Sequence, residues 1–244
     1  MIILSVGMPR AGSGWYYNLT HDLVTASGGQ DARQIRGRYH LESVLTEVNC
    51  NIGALTTRRL VAVSIPALTG NTFTIKAHSG PTPTALQLIQ RGLIRPTYIY
   101  RDPRDAMLSA MDNGQRAREK GRQNAFSELV DFDTAVAFML DYLRIWEAWM
   151  ECDLALHARY ENLLTDYELE VARLTGFLDI ERDIPEVGEV IEKYRPRGAQ
   201  PNQKGLHFSQ GKIGRFRQRM TAEQQDILAD KFGPYLERMG YPID

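Results

Sequence analysis

The sequence has 244 residues, of which 43% are hydrophobic and 24% are charged, and its 29 basic and 30 acidic residues give a net charge of −1. This composition excludes collagen-like, low-complexity and wholly disordered proteins. The balanced charge also argues against a generally cationic nucleic-acid binder.

The first predicted element is a strand in the apolar run of residues 2–6, which stops at Gly7. A run of this kind is typical of a strand buried on both faces. It is too short to cross a membrane and has no preceding basic residues of a signal peptide. The two cysteines, Cys50 and Cys152, lie far apart, so we expect free thiols rather than a disulfide framework. We therefore expect a cytoplasmic protein without a membrane partner.

A glycine-rich loop follows this strand, Gly7-Met8-Pro9-Arg10-Ala11-Gly12-Ser13-Gly14-Trp15. Backbone N–H groups of such a loop, at the start of a helix, form a cradle for phosphate. Gly12 and Gly14 permit close approach of the backbone, and Arg10 adds a cationic fork. The loop alone is also compatible with a glycine turn that binds no ligand.

The loop departs from the nucleotide-triphosphate motif G-x-x-x-x-G-K-[ST] at two positions. Ser13 stands where that motif has its lysine, and Gly14 replaces the hydroxyl that binds magnesium. An ordinary ATPase or kinase would therefore lack two of its phosphate and metal contacts.

Further along the chain, residues 60–65 have strand propensity without a clean period, and we favour a helix there. A second strand is predicted over 72–76; it ends at Lys76, and His78 follows two residues later. Ligands of open α/β sheets bind outside the carboxyl ends of the strands, which places these two side chains near the glycine loop. His78 is a candidate general base, although a single histidine is often structural.

The next strand is predicted over 97–100 and ends at Arg101, with Ser109 eight residues later in a helix. Arg101 and Ser109 are candidates to hold a second phosphate. Asp102 and Pro103 are also typical of a salt-bridged helix start, with the aspartate as N-cap.

Apolar residues at spacings of three and four predict a helix over 133–151, whose apolar stripe we assign to the core. A strand over 154–158 and a helix over 166–178 follow. Strands alternating with helices predict an α/β fold with a central, mostly parallel sheet. Because no internal repeat or linker is evident, we expect a single domain over residues 1–244.

The segment 194–219 carries seven basic and no acidic residues and includes Gly211 and Lys212. Such a segment either closes over an anionic ligand or forms a solvated surface. A last helix is predicted from Thr221, which with Gln224 forms a capping-box pattern, to residue 232 or beyond.

Taken together, the order of these motifs resembles the family of sulfotransferases that use 3′-phosphoadenosine-5′-phosphosulfate (PAPS). That family has a P-K-S-G-T-T-W-like loop, K-T-H after a strand, an R-x₇-S element, Y-E-x-L, and a late R-K-G-x-x-G-D-W loop. The corresponding segments here are Pro9 to Trp15, Lys76-Ala77-His78, Arg101 to Ser109, Tyr160-Glu161-Asn162-Leu163 and Gly211-Lys212-Ile213-Gly214-Arg215-Phe216.

The resemblance implies a P-loop-like α/β fold and transfer of a sulfuryl group from PAPS to a hydroxyl or amine, with adenosine 3′,5′-bisphosphate (PAP) as product and no metal. It implies that the loop holds the 5′-phosphosulfate, that Trp15 stacks on the adenine, and that Arg101 and Ser109 bind the 3′-phosphate. The nucleotide-binding residues it implies are Arg10, Ala11, Gly12, Ser13, Gly14, Trp15, Arg101, Ser109, Tyr160, Gly211 and Lys212. The catalytic residues it implies are His78 as general base, with Lys76 and Arg10 stabilising the charge that develops.

Four positions depart from the family pattern. Arg10 replaces a lysine, Ala11 removes a hydroxyl, and residues 209–210 are Ser-Gln where the family has Arg-Lys. Lys212 or Arg215 is a candidate to supply the missing 3′-phosphate cations.

The acceptor pocket is expected to form from residues 27–60, 112–135 and 194–210. Their many arginines favour a polar small molecule over a steroid-like acceptor. Two alternatives remain: a divergent P-loop ATP-dependent kinase or phosphotransferase, and a non-catalytic protein that binds nucleotides or polyanions. The five histidines show no paired spacing typical of a metal site.

Overall fold

A computed structural model describes residues 1–196 and 212–243. Its centre is one parallel sheet of four strands: β1 (Ile2–Gly7), β2 (Phe73–Ala77), β3 (Ile94–Tyr100) and β4 (Leu156–Arg159), in the order β2-β1-β3-β4. The predicted α/β class with a mostly parallel sheet is confirmed. The strand predicted over 97–100 begins three residues earlier, at Ile94. Arg95 and Pro96 interrupt its apolar run, which hid that part of the strand from the sequence pattern.

Helices cover both faces of the sheet in the described part of the chain. They are α1 (Ser13–Ala26), α2 (Ala32–Arg38), α3 (Thr57–Leu68), α4 (Pro83–Gln90), α5 (Pro103–Glu119), α6 (Phe132–Met150), α7 (Tyr160–Thr165), α8 (Tyr167–Leu178), α9 (Pro185–Tyr194), α10 (Phe216–Arg219) and α11 (Ala222–Met239). The predicted helices correspond to α3, α6, α8 and α11. In α11 both hydrogen bonds of the capping box between Thr221 and Gln224 form.

The two faces of the sheet pack against separate clusters of buried side chains. Along β1, Leu4 belongs to one cluster and Ile3 to the other, because successive side chains of a strand point to opposite faces. Trp149 of α6 packs into the first cluster and Trp15 of α1 into the second. Burial on both faces is the reason that β1 is apolar at nearly every position.

The strand register brings three chain segments to one edge of the sheet. Ser5 of β1 lies beside Lys76 of β2 on one side and Thr97 of β3 on the other. Because the strands are parallel, the glycine loop, His78 and Arg101 all leave the sheet at its carboxyl edge. None of the helices in the described ranges has the length and apolar character needed to cross a bilayer.

Candidate active site

A cavity of about 510 Å³ lies at the carboxyl edge of the sheet. Its walls combine the glycine loop, the ends of β2 and β3, and parts of α5 and α6. The lining residues are Pro9, Arg10, Gly12, Ser13, Gly14, Trp15, Asn49, Asn51, Lys76, His78, Arg101, Ser109, Ala125, Phe126, Phe138, Tyr142, Tyr160, Lys212 and Arg215. Most of the residues predicted from the sequence are therefore brought together. Ala11 is buried outside this lining, and the predicted site residue Gly211 lies outside the described residues.

The glycine loop places a helix start against the cavity. Gly12 is the N-cap of α1 and has a φ of 75°, in the left-handed region. A Cβ at this position would lie 2.6 Å from the Tyr160 ring, so both conformation and space require glycine. Ser13 and Gly14 occupy the first turn of α1, where N–H groups have no acceptor within the helix. Their position is that of an anion cradle.

Trp15 is fully buried. Its indole lies parallel to the Tyr167 ring at a centroid distance of 6.3 Å, and its Nε1 donates a hydrogen bond to the Tyr194 carbonyl at 3.1 Å. The indole ring lies behind the cavity wall and has no surface accessible from the cavity. The predicted stacking of Trp15 on an adenine would therefore require its neighbours to move.

His78 is held in one tautomer by the end of β1. Its Nδ1 lies 2.6 Å from the Gly7 carbonyl oxygen. A carbonyl can only accept, so Nδ1 carries the proton and Nε2 is left as an acceptor. Burial, and then the charge of Lys76, lower the pKa of His78 to about 4. The imidazole is thus neutral at pH 7, and its pKa lies below the near-neutral value expected from the sequence.

Lys76 is a buried cation at the end of β2, with only 5% of its surface exposed. Burial, and then the charge of Arg10, lower the pKa of Lys76 to about 8. Within the described residues it has no carboxylate partner. A buried ammonium without a counter-ion favours an anionic ligand, because desolvation of the charge is otherwise uncompensated.

Arg101 and Ser109 lie on the other side of the glycine loop. The Arg101 guanidinium sits 4.6 Å from the centroid of the Tyr160 ring and donates to Asp105 at 3.0 Å and to the Lys212 carbonyl at 2.7 Å. Its buried Nε has no hydrogen-bond partner in the part of the chain that the structure describes. Ser109 accepts a hydrogen bond from Nε of Arg10 at 3.2 Å.

Asp105 is a buried anchor that the sequence analysis did not single out. Its carboxylate accepts from Arg101, from the Gly214 N–H at 2.7 Å and from the Phe216 N–H at 3.1 Å. The predicted helix start is also present, with Asp102 as N-cap and Pro103 following it. Asp102 therefore caps the helix, whereas Asp105 connects Arg101 to the late basic segment.

The late basic segment reaches the cavity through two of its described residues. The Lys212 carbonyl accepts from Arg101, and Arg215 pairs with Asp112 of α5 at 2.7 Å. Both line the cavity, and the Arg215 side chain is only 10% exposed. Residues 209 and 210, where the family pattern has Arg-Lys, lie outside the described part of the chain.

One part of the cavity wall is aromatic. Phe138 lies between two neighbours, with ring centroids 4.9 Å from Tyr142 and 5.9 Å from Phe126. Phe138 and Tyr142 are one helical turn apart on α6, outside the apolar stripe that the sequence pattern assigned to the core. Both are partly buried and pack against the first core cluster while also lining the cavity, so helical spacing alone does not separate them from core residues.

The sulfotransferase-domain family model matches residues 2–240. The chain belongs to the sulfotransferase family. Solved structures with the same fold include retinol dehydratase in complex with androsterone and PAP, at 16% identity and a TM-score of 0.58, covering 96% of this chain and 80% of that one. Mouse sulfotransferase SULT7A1 in complex with PAP has 14% identity and a TM-score of 0.59, covering 97% of this chain and 84% of that one. A search of curated proteins found no match.

Four of the arginines that suggested a polar acceptor support loops of this sulfotransferase. Arg33 donates to the Val48 carbonyl, Arg36 to that of Leu45, Arg59 to that of Ile52 and Arg118 to that of Ser127. None of them lines the cavity. These four arginines therefore do not support the expectation of a polar acceptor, which stays a prediction.

Proposed function

We propose that this sulfotransferase uses PAPS as donor and transfers the sulfuryl group to a hydroxyl or amine of a small-molecule acceptor. The proposal rests on one buried positive charge without a counter-ion and one buried guanidinium N–H without an acceptor, both beside the same helix start. Lys76 has no carboxylate partner, and the Arg101 Nε no hydrogen-bond partner, among the described residues. An unpaired buried ammonium and an unpartnered buried N–H are both expected of a site that binds an anion with two charged ends.

The residues present fit PAPS at both ends. Lys76 and the first turn of α1 would hold the 5′-phosphosulfate, which supplies the sulfuryl group. Arg101 and Ser109 would hold the 3′-phosphate, with Arg215 as the cation that replaces the missing Arg-Lys pair. Among the described residues no group of three metal-binding side chains occurs.

In the proposed mechanism His78 takes the proton of the acceptor. The hydrogen bond to Gly7 fixes the ring and directs the basic role to Nε2. Negative charge near the imidazole raises its pKa above the value in the free protein, so binding of an anionic donor makes His78 a stronger base. Lys76 stabilises the negative charge that develops on the leaving phosphate oxygen. Positioning and charge stabilisation then account for most of the catalysis.

Differential scanning fluorimetry with PAP and with ATP–magnesium tests the proposal. A ligand present at about 100 times its Kd stabilises the folded state by about 2.7 kcal/mol, so PAP is expected to raise the melting temperature clearly. A screen of acceptors with labelled PAPS then tests transfer. Stabilisation by ATP–magnesium but not by PAP would identify a phosphotransferase instead. Salt-sensitive binding of polyanions with no transfer to any acceptor would identify a binding protein.

We propose that the acceptor has a flat, apolar body. Phe126, Phe138 and Tyr142 form the wall that such a body would contact. The retinol dehydratase structures, which contain androsterone or retinol, come from proteins of the same fold. Asn49 and Asn51 add a polar edge, and their side-chain oxygens already accept from Thr46 and from the Gly53 N–H. Their amide N–H groups remain to donate to a carbonyl or hydroxyl of the acceptor.

Gly114→Ala is expected to raise the KM for the acceptor about tenfold while PAP binds within about threefold of the wild-type affinity. A Cβ at Gly114 of α5 would lie 2.0 Å from the Phe126 carbonyl oxygen, so the segment that carries Phe126 must move away from the aromatic wall. Acceptor kinetics and calorimetry with PAP measure the two effects. Gly176→Ala in α8 is the control, because a Cβ there meets nothing within 4 Å. An unchanged acceptor KM in Gly114→Ala would show that Phe126 does not contribute to acceptor binding.

The kcat/KM for PAPS is expected to fall as the pH rises through about 8. This quantity reports groups of the free enzyme, and Lys76, whose pKa burial lowers to about 8, must carry its proton to hold the anion. Lys76→Arg keeps its charge at higher pH and is expected to move the alkaline limb upward. Profiles of the two proteins over pH 6 to about 10 measure this. If the alkaline limbs of wild type and Lys76→Arg coincide, a group other than Lys76 causes the fall in kcat/KM.

A further inference from the structure

We infer that α3 and α4 form a surface that docks on a membrane containing anionic lipids. The inference goes beyond the proposed function and does not depend on it. The expectation of no membrane partner rested on the lack of a membrane-spanning segment, and a peripheral contact needs no such segment.

The helix α3 is apolar on both of its faces. Its inner face is buried in the core. Its outer face carries three large apolar side chains at helical spacing, and more than half of each is exposed: Val61 at 56%, Ile65 at 53% and Leu68 at 73%. The missing period of residues 60–65 in the sequence has this cause. A helix that is apolar all round is normally covered on every side, so the outer face of α3 lacks a cover within the described residues.

A groove of about 500 Å³ between α3 and α4 continues this apolar surface. Leu88 of α4 and Leu93, which follows the helix, line the groove together with the three exposed side chains of α3. The hydroxyls of Thr57 and Thr84 lie 2.8 Å apart and join the N-terminal ends of the two helices. The other large, highly exposed apolar side chains of the described residues lie singly along the chain. A contiguous apolar patch of this kind marks a surface that binds a partner or a membrane.

The charge on this surface is positive only. Arg58 lies one turn before Val61 on α3, and Arg91 lines the groove at the end of α4. Both are exposed, and neither side chain has an ion pair or a hydrogen bond within the described residues. Residues 48–101 contain six basic residues and no acidic residue, so the rest of this chain of net charge −1 carries −7. An anionic surface is therefore attracted to this side of the molecule.

An anionic lipid surface fits both the apolar and the charged features. Apolar side chains that project from a helix enter the boundary between headgroups and acyl chains. Arginine pairs its planar fork with phosphate, which every phospholipid headgroup carries. A second copy of the chain, docked face to face, would instead set Arg58 and Arg91 against the same arginines of its partner, with no carboxylate in residues 48–101 to offset them.

Cosedimentation of the protein with lipid vesicles tests the inference. Wild type is expected to bind phosphatidylcholine vesicles with about 30% phosphatidylserine at least about fivefold more tightly than vesicles of phosphatidylcholine alone. Arg91→Gln is expected to weaken binding to the anionic vesicles about fivefold, because one cation is lost from the surface. Leu68→Gln is expected to weaken it about fivefold or more, because an apolar side chain no longer enters the lipid.

Each variant has a matched control. Leu169→Gln removes a leucine of similar exposure, 63%, from α8, where Glu168 and Glu170 flank it. Arg144→Gln removes one exposed positive charge from α6. Both controls are expected to bind the anionic vesicles as wild type does. Because all four substituted side chains are exposed, all four variants are expected to fold, and their melting temperatures check this.

Four outcomes would overturn the inference. Wild type that binds anionic and neutral vesicles equally would show that the positive charge plays no part. Vesicle binding that Leu68→Gln and Arg91→Gln leave unchanged would place the contact on another surface. Light scattering that shows a wild-type dimer and a monomeric Leu68→Gln, without vesicle binding, would identify a second copy as the occupant. Binding of soluble polyglutamate without vesicle binding would identify an acidic protein segment. The proposed function would stand in all four cases, since PAP binding tests it separately.

Discussion

His78→Ala is expected to lower kcat at least about a hundredfold, since removal of a general base typically costs 10²- to 10⁴-fold in rate. The geometry around the ring gives the reason. Nδ1 is engaged with the Gly7 carbonyl at 2.6 Å, so Nε2 is the nitrogen that can take the proton of an acceptor. The imidazole is neutral at pH 7 in the free protein, because its pKa is lowered to about 4. Its removal deletes no charge from the nucleotide site, and PAP affinity is expected to stay within about threefold.

Two further variants separate proton transfer from positioning. His78→Gln keeps a side-chain N–H for the Gly7 carbonyl but offers no base, so it is expected to be as slow as His78→Ala. His40→Asn removes an exposed imidazole outside the cavity from a left-handed backbone position that asparagine tolerates, and it is expected to behave as wild type. Turnover close to wild type in His78→Ala would remove the imidazole from the mechanism. Recovery in His78→Gln would make His78 a positioning residue.

The strand tips of this fold are predictable from the sequence because their signals are local. The run at residues 2–6 is apolar at nearly every position since both of its faces are buried, and the glycines after it mark a turn into a helix. The parallel arrangement then follows from the alternation of strands and helices, which places Lys76 and Arg101 at the same edge.

The other walls of the site depend on contacts between distant parts of the chain. Asp105 has the sequence context of a helix start, and its main partners lie more than a hundred residues later, in Gly214 and Phe216. The roles of Arg33, Arg36 and Arg59 were not predictable for a related reason. Their partners are backbone carbonyls of their own loop, and an arginine that supports a loop has the same sequence pattern as one that binds a ligand.

Asp105→Ala is expected to lower the free energy of unfolding by about 3–5 kcal/mol, the usual cost of removing one partner of a buried ion pair. The Asp105 side chain has no exposed surface, and three donors converge on it. Alanine leaves the Arg101 charge and two backbone N–H groups without this acceptor. Urea denaturation measures the loss. Asp141→Ala is the control, because its pair with Arg144 is exposed and is expected to contribute less than about 1 kcal/mol.

The same variant is expected to weaken PAP binding about tenfold or more, although deletion of a negative charge by itself favours an anion. Loss of the negative charge favours PAP binding, and loss of the contacts that position Arg101 opposes it. The loss of positioning is expected to be the larger effect. Its three donors already balance the Asp105 carboxylate, so little of its charge acts on a phosphate. The same three bonds hold the Arg101 guanidinium and the chain at Gly214 and Phe216 against α5. Tighter PAP binding in Asp105→Ala would mean that charge outweighs positioning. A stability loss below about 1 kcal/mol would mean that the donors find other acceptors.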